Sequence, residues 1–183
     1  MLMDKGMDKG DMLLTNEVEI TPDMTTGELH DKLAETGAKL MLETLDGLKN
    51  ATIKPIKQND ANATYASKLD RETEVIDWSK TSKEIVNKIR GLNPWPTAYT
   101  TLSDTRLKLF KARLVQEKPE TDNVTGKFIR QTVDGFLVAT GDGVIEILQV
   151  QPASKKMMPA RTFIQGLNIP MEKVIFGRSF DGK

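Results

Sequence analysis

The chain has 183 residues, which is enough for one domain with a sizeable core and part of another. It has no cysteine, so disulfides and thiolate metal sites are excluded, and no apolar run approaches the roughly 18 residues that span a bilayer. The 26 basic and 26 acidic residues cancel. However, residues 1–63 carry 7 Lys and Arg against 12 Asp and Glu, whereas the remainder carries 19 against 14. This asymmetry indicates an acidic segment joined to a basic module that suits a polyanionic partner.

An acidic, glycine-bearing loop occupies residues 4–11 at the amino end. Gly6 and Gly10 allow the backbone to turn tightly and to approach a ligand closely. A carboxylate in such a loop can orient a histidine during acyl transfer, but acidic glycine turns also bind calcium or remain solvated, and the EF-hand spacing is absent. The loop runs straight into a strand-like segment, so we expect the chain to start inside a larger domain.

A strand and a long helix are predicted next. Residues 12–20 favour a strand that ends before Pro22, and Thr25 stands three residues ahead of Glu28, which is the spacing of a capping box. Apolar residues then recur at helical spacing to about Asn50. His30, the one histidine, lies beside that stripe and is interpreted as a surface or partly packed residue. Residues 51–64 have no period and are predicted to form a linker.

A second capping box, Thr81 to Glu84, begins a short amphipathic helix that ends at Gly91. The helix presents Lys88 and Arg90 away from its apolar face. It is followed by a turn of sequence Asn-Pro-Trp-Pro, in which each proline fixes its own φ and prevents the helix from continuing. We predict that Trp95 of this turn is a packing residue at a structural corner.

The period then changes from helical to extended. Several short strands joined by Asp-Gly turns predict a small antiparallel barrel, with a short helix at residues 159–165. In the first long strand the apolar phase slips by one residue, which indicates a β-bulge. The predicted inward residues of that strand are Leu107, Leu109, Phe110, Ala112 and Leu114.

Basic residues recur along this part of the chain. Strand-borne cations on a small barrel suit contact with a phosphate backbone, which gives affinity without reading sequence. Any one of them is most simply a solvated charge, so the set is more informative than its members. The candidate residues for contact with such a phosphate backbone are Lys88, Arg90, Lys108, Lys111, Arg113, Lys127, Arg130, Lys155 and Lys156, and Arg161 lies close to them in sequence.

Five sequence segments together resemble the methionyl-tRNA formyltransferase family. The loop at residues 4–13 resembles that family's Asp-x-Gly-x-Asp-x-Gly-Asp-Met/Ile-Leu loop. Ile-Asp-Trp at residues 76–78, followed by Asn-Pro-Trp-Pro at residues 93–96, is similar to the opening of its carboxy-terminal domain. Residues 139–143 and 151–157 resemble its later strands. The similarity runs in order along residues 1–176.

The resemblance implies an α+β fold. In it, an OB-like antiparallel β-barrel with short helices is preceded by a strand-helix remnant of a Rossmann-like formyltransferase domain. The implied domains are residues 1–50 for the remnant, 51–64 for the linker, 65–176 for the tRNA-binding barrel and 177–183 for a tail. Structural roles are implied for Trp78, Asn93, Pro94, Trp95 and Pro96.

The resemblance also implies formyl transfer from 10-formyltetrahydrofolate to initiator methionyl-tRNA, in the cytoplasm and without a membrane. Asp8 corresponds to the catalytic acid of the family, and Asp4, Gly6, Met7 and Asp8 to the loop that borders the folate. The family's Asn-x-His-x-Ser-Leu-Leu-Pro partner segment is absent from this sequence, so the chain is expected to be catalytically incomplete, to bind folate poorly and to need no metal. Two alternatives are a formyltransferase acting on an amino sugar or on the folate itself, and a non-catalytic β-barrel adaptor.

Overall fold

The structure, a computed structural model, describes residues 1–117 and 124–177. Most of the tail predicted at residues 177–183 therefore lies outside the described residues. The chain divides into two compact units: residues 1–22 with 28–68, and residues 23–27 with those from Leu69 onward. No helix in the described part of the chain is long and apolar enough to cross a membrane.

The first unit is dominated by one helix. Helix α1 spans Thr26–Lys49, as its apolar period predicts, yet none of its residues is buried, and Leu33, Met41 and Leu45 are each at least half exposed. A single 3-10 turn, Asp60–Asn62, follows, and the side chain of Asn59 caps it by accepting the N–H of Ala61. His30 is an exposed residue of α1, as predicted.

The strand predicted for residues 12–20 is wrong. Only Met12 pairs with another segment, and it does so as an isolated bridge in which its N–H and carbonyl bond Ile56 at 2.8 Å each. A strand forms only where neighbouring backbone groups find partners, and an alternating pattern in the sequence does not supply them. Residues 13–20 form neither helix nor strand.

The helices of the second unit are short. They are α2 (Arg71–Glu74), α3 (Ser82–Gly91) and α4 (Ala160–Gln165), with a 3-10 turn at Met171–Lys173. The capping box predicted for α3 is confirmed, because Thr81 accepts the N–H of Glu84 and the Glu84 carboxylate accepts the N–H of Thr81. Helix α4 ends before Gly166, also as predicted, but it begins at Ala160, so that Pro159 is its N-cap and not a residue of its first turn.

The same unit contains a curled antiparallel sheet, which confirms the α+β class and the antiparallel topology. In the described residues its strands are β1 (Tyr99–Leu102), β2 (Thr105–Leu114), β3 (Phe128–Gln131), β4 (Phe136–Ala139), β5 (Val144–Pro152) and β6 (Met158–Pro159). The strand order is β1-β2-β5-β4-β3, and β6 pairs with β5. The predicted second strand began at Lys127, which instead forms an isolated bridge with Ile175.

The predicted bulge in β2 is confirmed by register shifts on either side of Lys111, opposite β5. Leu107 and Leu109 before it face the core, and Ala112 beyond it packs against that core. The prediction that Leu114 also points inward is wrong, since this side chain is 53% exposed. Leu114 is the last residue of its strand, where the sheet no longer covers it.

The core lies on one face of the sheet. It holds Ile85 and Ile89 of α3, part of the apolar residues of β2, β4 and β5, and a cluster of aromatic rings around Phe136. Phe176 stacks on Phe136 at 5.4 Å, and Trp78 lies 6.1 Å from Phe176. Gly126 sits against this cluster with φ of 82°, and a Cβ there would meet the Phe176 carbonyl at 2.3 Å, so the position requires glycine.

Candidate nucleic-acid interface

The acidic loop of residues 4–13 is closed by hydrogen bonds within the first unit. The N–H of Leu2 donates to the Asp11 carbonyl at 2.9 Å, so the loop returns on itself. Gly10 makes this close approach possible, because a Cβ there would lie 1.7 Å from the Leu2 carbonyl oxygen. The amide of Gln58 donates to the carbonyls of both Asp8 and Gly10, at 2.8 and 2.7 Å.

This loop presents the residues that were predicted to border a folate. Asp4, Met7 and Asp8 are exposed, Met7 at 89%, and Asp8 has a positive φ of 54°. Exposed side chains on one loop do not enclose a pteridine ring, so these residues alone do not fit the cofactor. In the described part of the chain, no group of three or more His, Cys, Asp or Glu side chains could hold a metal ion.

The outer face of the sheet carries the strand lysines. Because Leu107, Leu109 and Ala112 face the core, Lys108 and Lys111 point to the opposite side. Lys108 stands beside Gln151 of β5 in the sheet register, and the Gln151 side chain donates to the Lys155 carbonyl at 2.9 Å. The sheet and its next turn thereby bring together the basic residues Lys108, Lys155 and Lys156, the last two being exposed.

Arg113 lies on the same outer face but is held by carboxylates. Its Nε donates to Glu146 at 2.6 Å and its Nη2 to Asp134 at 3.0 Å. The Glu146 side chain is 4% exposed, and it also accepts the hydroxyl of Thr132. These two carboxylates raise the pKa of Arg113, so its charge is fixed and partly neutralised by the fold.

A cleft of about 540 Å³ opens beside this ion pair. Arg130 and Arg161 line it with Arg113; Arg130 pairs with Glu117 at 2.7 Å, and Arg161 donates to the Val133 carbonyl at 3.0 Å. Three guanidinium groups in the cleft face three carboxylates, from Glu117, Asp134 and Glu146, so the local charge is balanced. A polyanion is attracted by a surface with an excess of positive charge. The lysines of the outer face provide such an excess, and this cleft does not.

Helix α3 uses its two predicted tRNA-binding cations for internal contacts. The Nζ of Lys88 donates to the Val75 carbonyl at 2.7 Å, and Arg90 donates to Asn87 and to the Met24 carbonyl, at 2.8 and 3.1 Å. Burial lowers the pKa of Lys88, against the attraction of Asp77. Both side chains therefore contribute to the fold at this end of the unit.

The Asn-Pro-Trp-Pro turn differs most from its prediction. Trp95 was expected to pack, and it is 79% exposed, so the packing prediction is wrong. Trp78 takes the core position instead, 5% exposed with its indole N–H donating to Thr100 at 3.0 Å. The turn is fixed by polar groups: Asn93 donates to the Phe110 carbonyl at 2.7 Å, and the buried Thr97 donates to the Leu92 and Pro94 carbonyls.

The sequence analysis did not identify two polar residues that fix these sites: Gln58, which bonds the acidic loop, and Glu146, which pairs with Arg113. Gln58 lay in the aperiodic segment, and Glu146 interrupts an apolar strand. Nothing marked Gln58, because its partners lie about fifty residues away in the chain. A charge within a run as apolar as Val-Ile-Glu-Ile-Leu was a usable signal for Glu146, since a buried carboxylate needs a cation.

Comparison with known proteins places the chain in a family. Residues 68–168 match the family described as formyl transferase, C-terminal domain, and the chain belongs to that family. The resemblance to methionyl-tRNA formyltransferases is also confirmed. The methionyl-tRNA formyltransferase of Clostridium novyi (strain NT) is 42% identical over 175 residues, 96% of this chain and 56% of the relative. That of Bacillus velezensis is 45% identical over 170 residues, 92% of this chain and 53% of the relative.

The chain thus spans about half the length of the curated relatives it matches. Solved structures share its fold at lower identity. A variant of HypX from Aquifex aeolicus has a TM-score of 0.65 at 17% identity, over 90% of this chain and 30% of that one. The N-formyltransferase from Helicobacter canadensis, solved with folinic acid and dTDP-3-aminofucose, has a TM-score of 0.59 at 23% identity, over 79% and 52% respectively.

Proposed function

We propose that this chain is the carboxy-terminal portion of a methionyl-tRNA formyltransferase, and that its sheet surface binds the initiator methionyl-tRNA. The lysines of the outer face carry the proposal. Lys108, Lys111, Lys155 and Lys156 form no ion pair with another described residue, in contrast to Arg113 and Arg130. Cations without a carboxylate partner are the ones available to neutralise phosphates.

The domain boundaries predicted from the sequence are part of the proposal. Residues 1–50 would be the last part of a Rossmann-like formyltransferase domain, 51–64 the linker and 65–176 an OB-like tRNA-binding barrel. The family match over residues 68–168 and the change of compact unit near Leu69 support the second boundary. The exposed apolar residues of α1 support the first, because such a face is usually covered in a complete domain.

The proposed reaction of the whole enzyme is formyl transfer from 10-formyltetrahydrofolate to the methionyl amino group. Asp8 would be the catalytic acid, oriented by the loop and by Gln58. An acid of this kind acts together with a histidine, and the only histidine of this sequence, His30, is 77% exposed on α1. We therefore propose that the 183-residue chain neither turns over nor binds folate well by itself.

Two other functions have weaker support. A formyltransferase acting on an amino sugar has the support of fold similarity alone, since the sugar N-formyltransferases are 23–24% identical to this chain. The relatives named methionyl-tRNA formyltransferase are 42–45% identical. A non-catalytic adaptor would need no set of unpaired lysines. Binding of tRNA agrees both with the higher identity to methionyl-tRNA formyltransferases and with the lysines that form no ion pair with another described residue.

Binding to an initiator tRNA transcript at a series of salt concentrations tests this function. We expect the logarithm of affinity to fall steeply and linearly with the logarithm of salt concentration. Lys108→Glu with Lys111→Glu should weaken binding about tenfold or more at low salt, and should reduce the slope by about 0.7–0.9 for each phosphate that the variant no longer neutralises. Arg113 is left unchanged because Glu146 depends on its charge.

The matched control is Lys32→Glu with Lys49→Glu on α1, which changes the net charge equally and should have a much smaller effect. Equal weakening by both pairs would mean that total charge, and not this surface, governs affinity. The same preparation, supplied with 10-formyltetrahydrofolate and charged tRNA, is expected to give no formyl transfer. Turnover near that of a full-length relative would contradict the proposed incompleteness.

A further inference from the structure

Trp95 is an exposed aromatic side chain on a rigid support. It is 79% exposed, and prolines on both sides fix the backbone φ at Pro94 and Pro96. The turn is anchored before the tryptophan by the Gly27 N–H, which donates to the Asn93 carbonyl at 3.0 Å. It is anchored after it by Thr97, a residue only 2% exposed.

This combination is unusual within the described chain. Trp78, Phe128, Phe136 and Phe176 are buried in the core, and Arg106 covers the ring of Tyr99 at 3.9 Å. Tyr65 is also exposed, at 96%, but it lies in a segment with neither helix nor strand. Holding a large aromatic ring in water is unfavourable, because its apolar surface stays exposed. A planar ligand stacked on the ring would bury that surface.

The turn stands next to the basic outer face. The Asn93 side chain donates to the carbonyl of the peptide that joins Phe110 to Lys111, at the bulge of β2. Lys111 is exposed and points away from the core. The turn that carries Trp95 is thus bonded to β2 at the residue before Lys111. An aromatic face and a nearby cation are the two elements with which proteins hold a single-stranded nucleic acid, since every base has a π-face and every nucleotide a phosphate.

We infer that Trp95 is a base-stacking residue, which takes an unpaired nucleobase of the bound tRNA while Lys111 contacts a phosphate beside it. This inference rests on the proposed function and specifies how it is carried out. Stacking is tolerant of sequence, so the site selects an unpaired and accessible base and not a particular one. It also gives the Asn-Pro-Trp-Pro turn a role in binding that a packed tryptophan would not have.

Affinity and its salt dependence together test the inference. Trp95→Ala should weaken tRNA binding by about 5- to 150-fold, which is the range that alanine substitution gives for loss of one base–aromatic stack. The loss should be the same factor at every salt concentration, because a stack releases no counterion, whereas Lys111→Glu should reduce the salt slope. Trp95→Phe should retain much of the affinity, and Tyr65→Ala, the matched exposed-ring control, should retain all of it.

Fluorescence gives an independent measurement. The chain has two tryptophans, and Trp95→Phe leaves only the buried Trp78. Saturating tRNA should quench the emission of the unaltered chain and leave that of Trp95→Phe nearly constant. Unchanged affinity in Trp95→Ala, or no quenching at saturation, would overturn the stacking inference while leaving tRNA binding in place. If the unaltered chain binds no tRNA, both proposals fall together.

Discussion

Glu146 is a carboxylate that this fold buries, and Arg113 makes that burial possible. The Glu146 side chain is 4% exposed, whereas that of Arg113 is 49% exposed, so Glu146 loses far more of its hydration than Arg113 does. Removing a charge from water costs several kcal/mol, which the pair recovers only through good geometry and further hydrogen bonds. Thr132 supplies one such bond to Glu146 and fixes the following turn by accepting the Gly135 N–H at 2.8 Å.

Arg113→Ala is therefore expected to lower the free energy of unfolding, because it leaves a buried carboxylate without its cation. The loss should be smaller than that for a fully buried pair, since solvent screens the exposed side of Arg113. Adding Glu146→Gln should recover part of the loss, because the neutral amide tolerates the missing charge. Urea unfolding of the two single variants and the double variant measures this coupling.

Arg130→Ala is the matched control at the residue scale. Its pair with Glu117 is exposed on both sides, at 55% and 40%, so we expect a change within about 0.5 kcal/mol. If Arg113→Ala and Arg130→Ala lowered the free energy of unfolding equally, the burial of Glu146 would have no energetic consequence.

At the scale of elements, α3 shows how a short helix is fixed at both ends. At its start, the Ser82 N–H donates to the Asp142 carboxylate at 2.7 Å, in addition to the capping box. At its end, the hydroxyl of Thr26 donates to the Gly91 carbonyl at 2.6 Å. The helix has only ten residues, so these bonds to otherwise unpaired backbone groups add to the packing of Ile85 and Ile89 in keeping it formed.

The Asp142 contact predicts a dependence on pH. The hydrogen bond from the Ser82 N–H, followed by side-chain bonds from Ser82 and Thr140, lowers the pKa of Asp142 from its ordinary value of 3.8. A lowered pKa in the folded state means that the contribution is present above pH 3.8 and is lost as pH falls through the folded value. Asp142→Asn keeps an acceptor for the Ser82 N–H but removes the charge at the start of α3, so it should cost about 0.3–1 kcal/mol at pH 7 and much less near pH 2.

Thermal or urea unfolding of this variant and the unaltered chain, at pH values from 7 down to 2, checks the prediction. The two stability curves should converge on acidification. Parallel curves over the whole range would show that Asp142 does not titrate with folding. Asp46→Asn on α1 is a suitable control, because it removes one carboxylate from a different helix.

The elements that sequence alone predicted are those specified by neighbouring residues. Thr81 and Glu84 form their capping box three residues apart, and the glycines of the hairpins act within two residues of the turn. Even the bulge in β2 was visible, because a phase slip is a local pattern. In each case the energy that selects the structure comes from groups that are adjacent in the chain.

The features that sequence missed depend on distant partners. Residues 12–20 had a strand-like pattern, but only Met12 meets a partner, Ile56, more than forty residues later. Trp95 is exposed on a turn that Asn93 and Thr97 bond to more distant parts of the chain or to the turn itself, whereas Trp78 is buried. A tryptophan between two prolines predicts a rigid corner, but it does not tell whether the ring faces the core or the solvent.

At the scale of the whole molecule, the boundary between the two compact units does not follow the sequence in a simple way. Residues 23–27 belong with the later unit, although most of the early chain forms the first. Met24 in this short segment is 6% exposed, and its carbonyl accepts Arg90 of α3. The stability of the sheet-bearing unit should therefore depend on residues that precede it by about fifty positions.

Met24→Ala and Met41→Ala separate this dependence from a general effect of losing a methionine. Met24 is buried, and its truncation should lower the free energy of unfolding by about 2–3 kcal/mol. Met41 is 58% exposed on α1, and its truncation should change the free energy of unfolding by less than about 0.5 kcal/mol. The transition to follow is that of the aromatic core, reported by the emission of Trp78 in a Trp95→Phe background. A core transition that Met24→Ala leaves in place would mean that residues 23–27 do not stabilise the later unit.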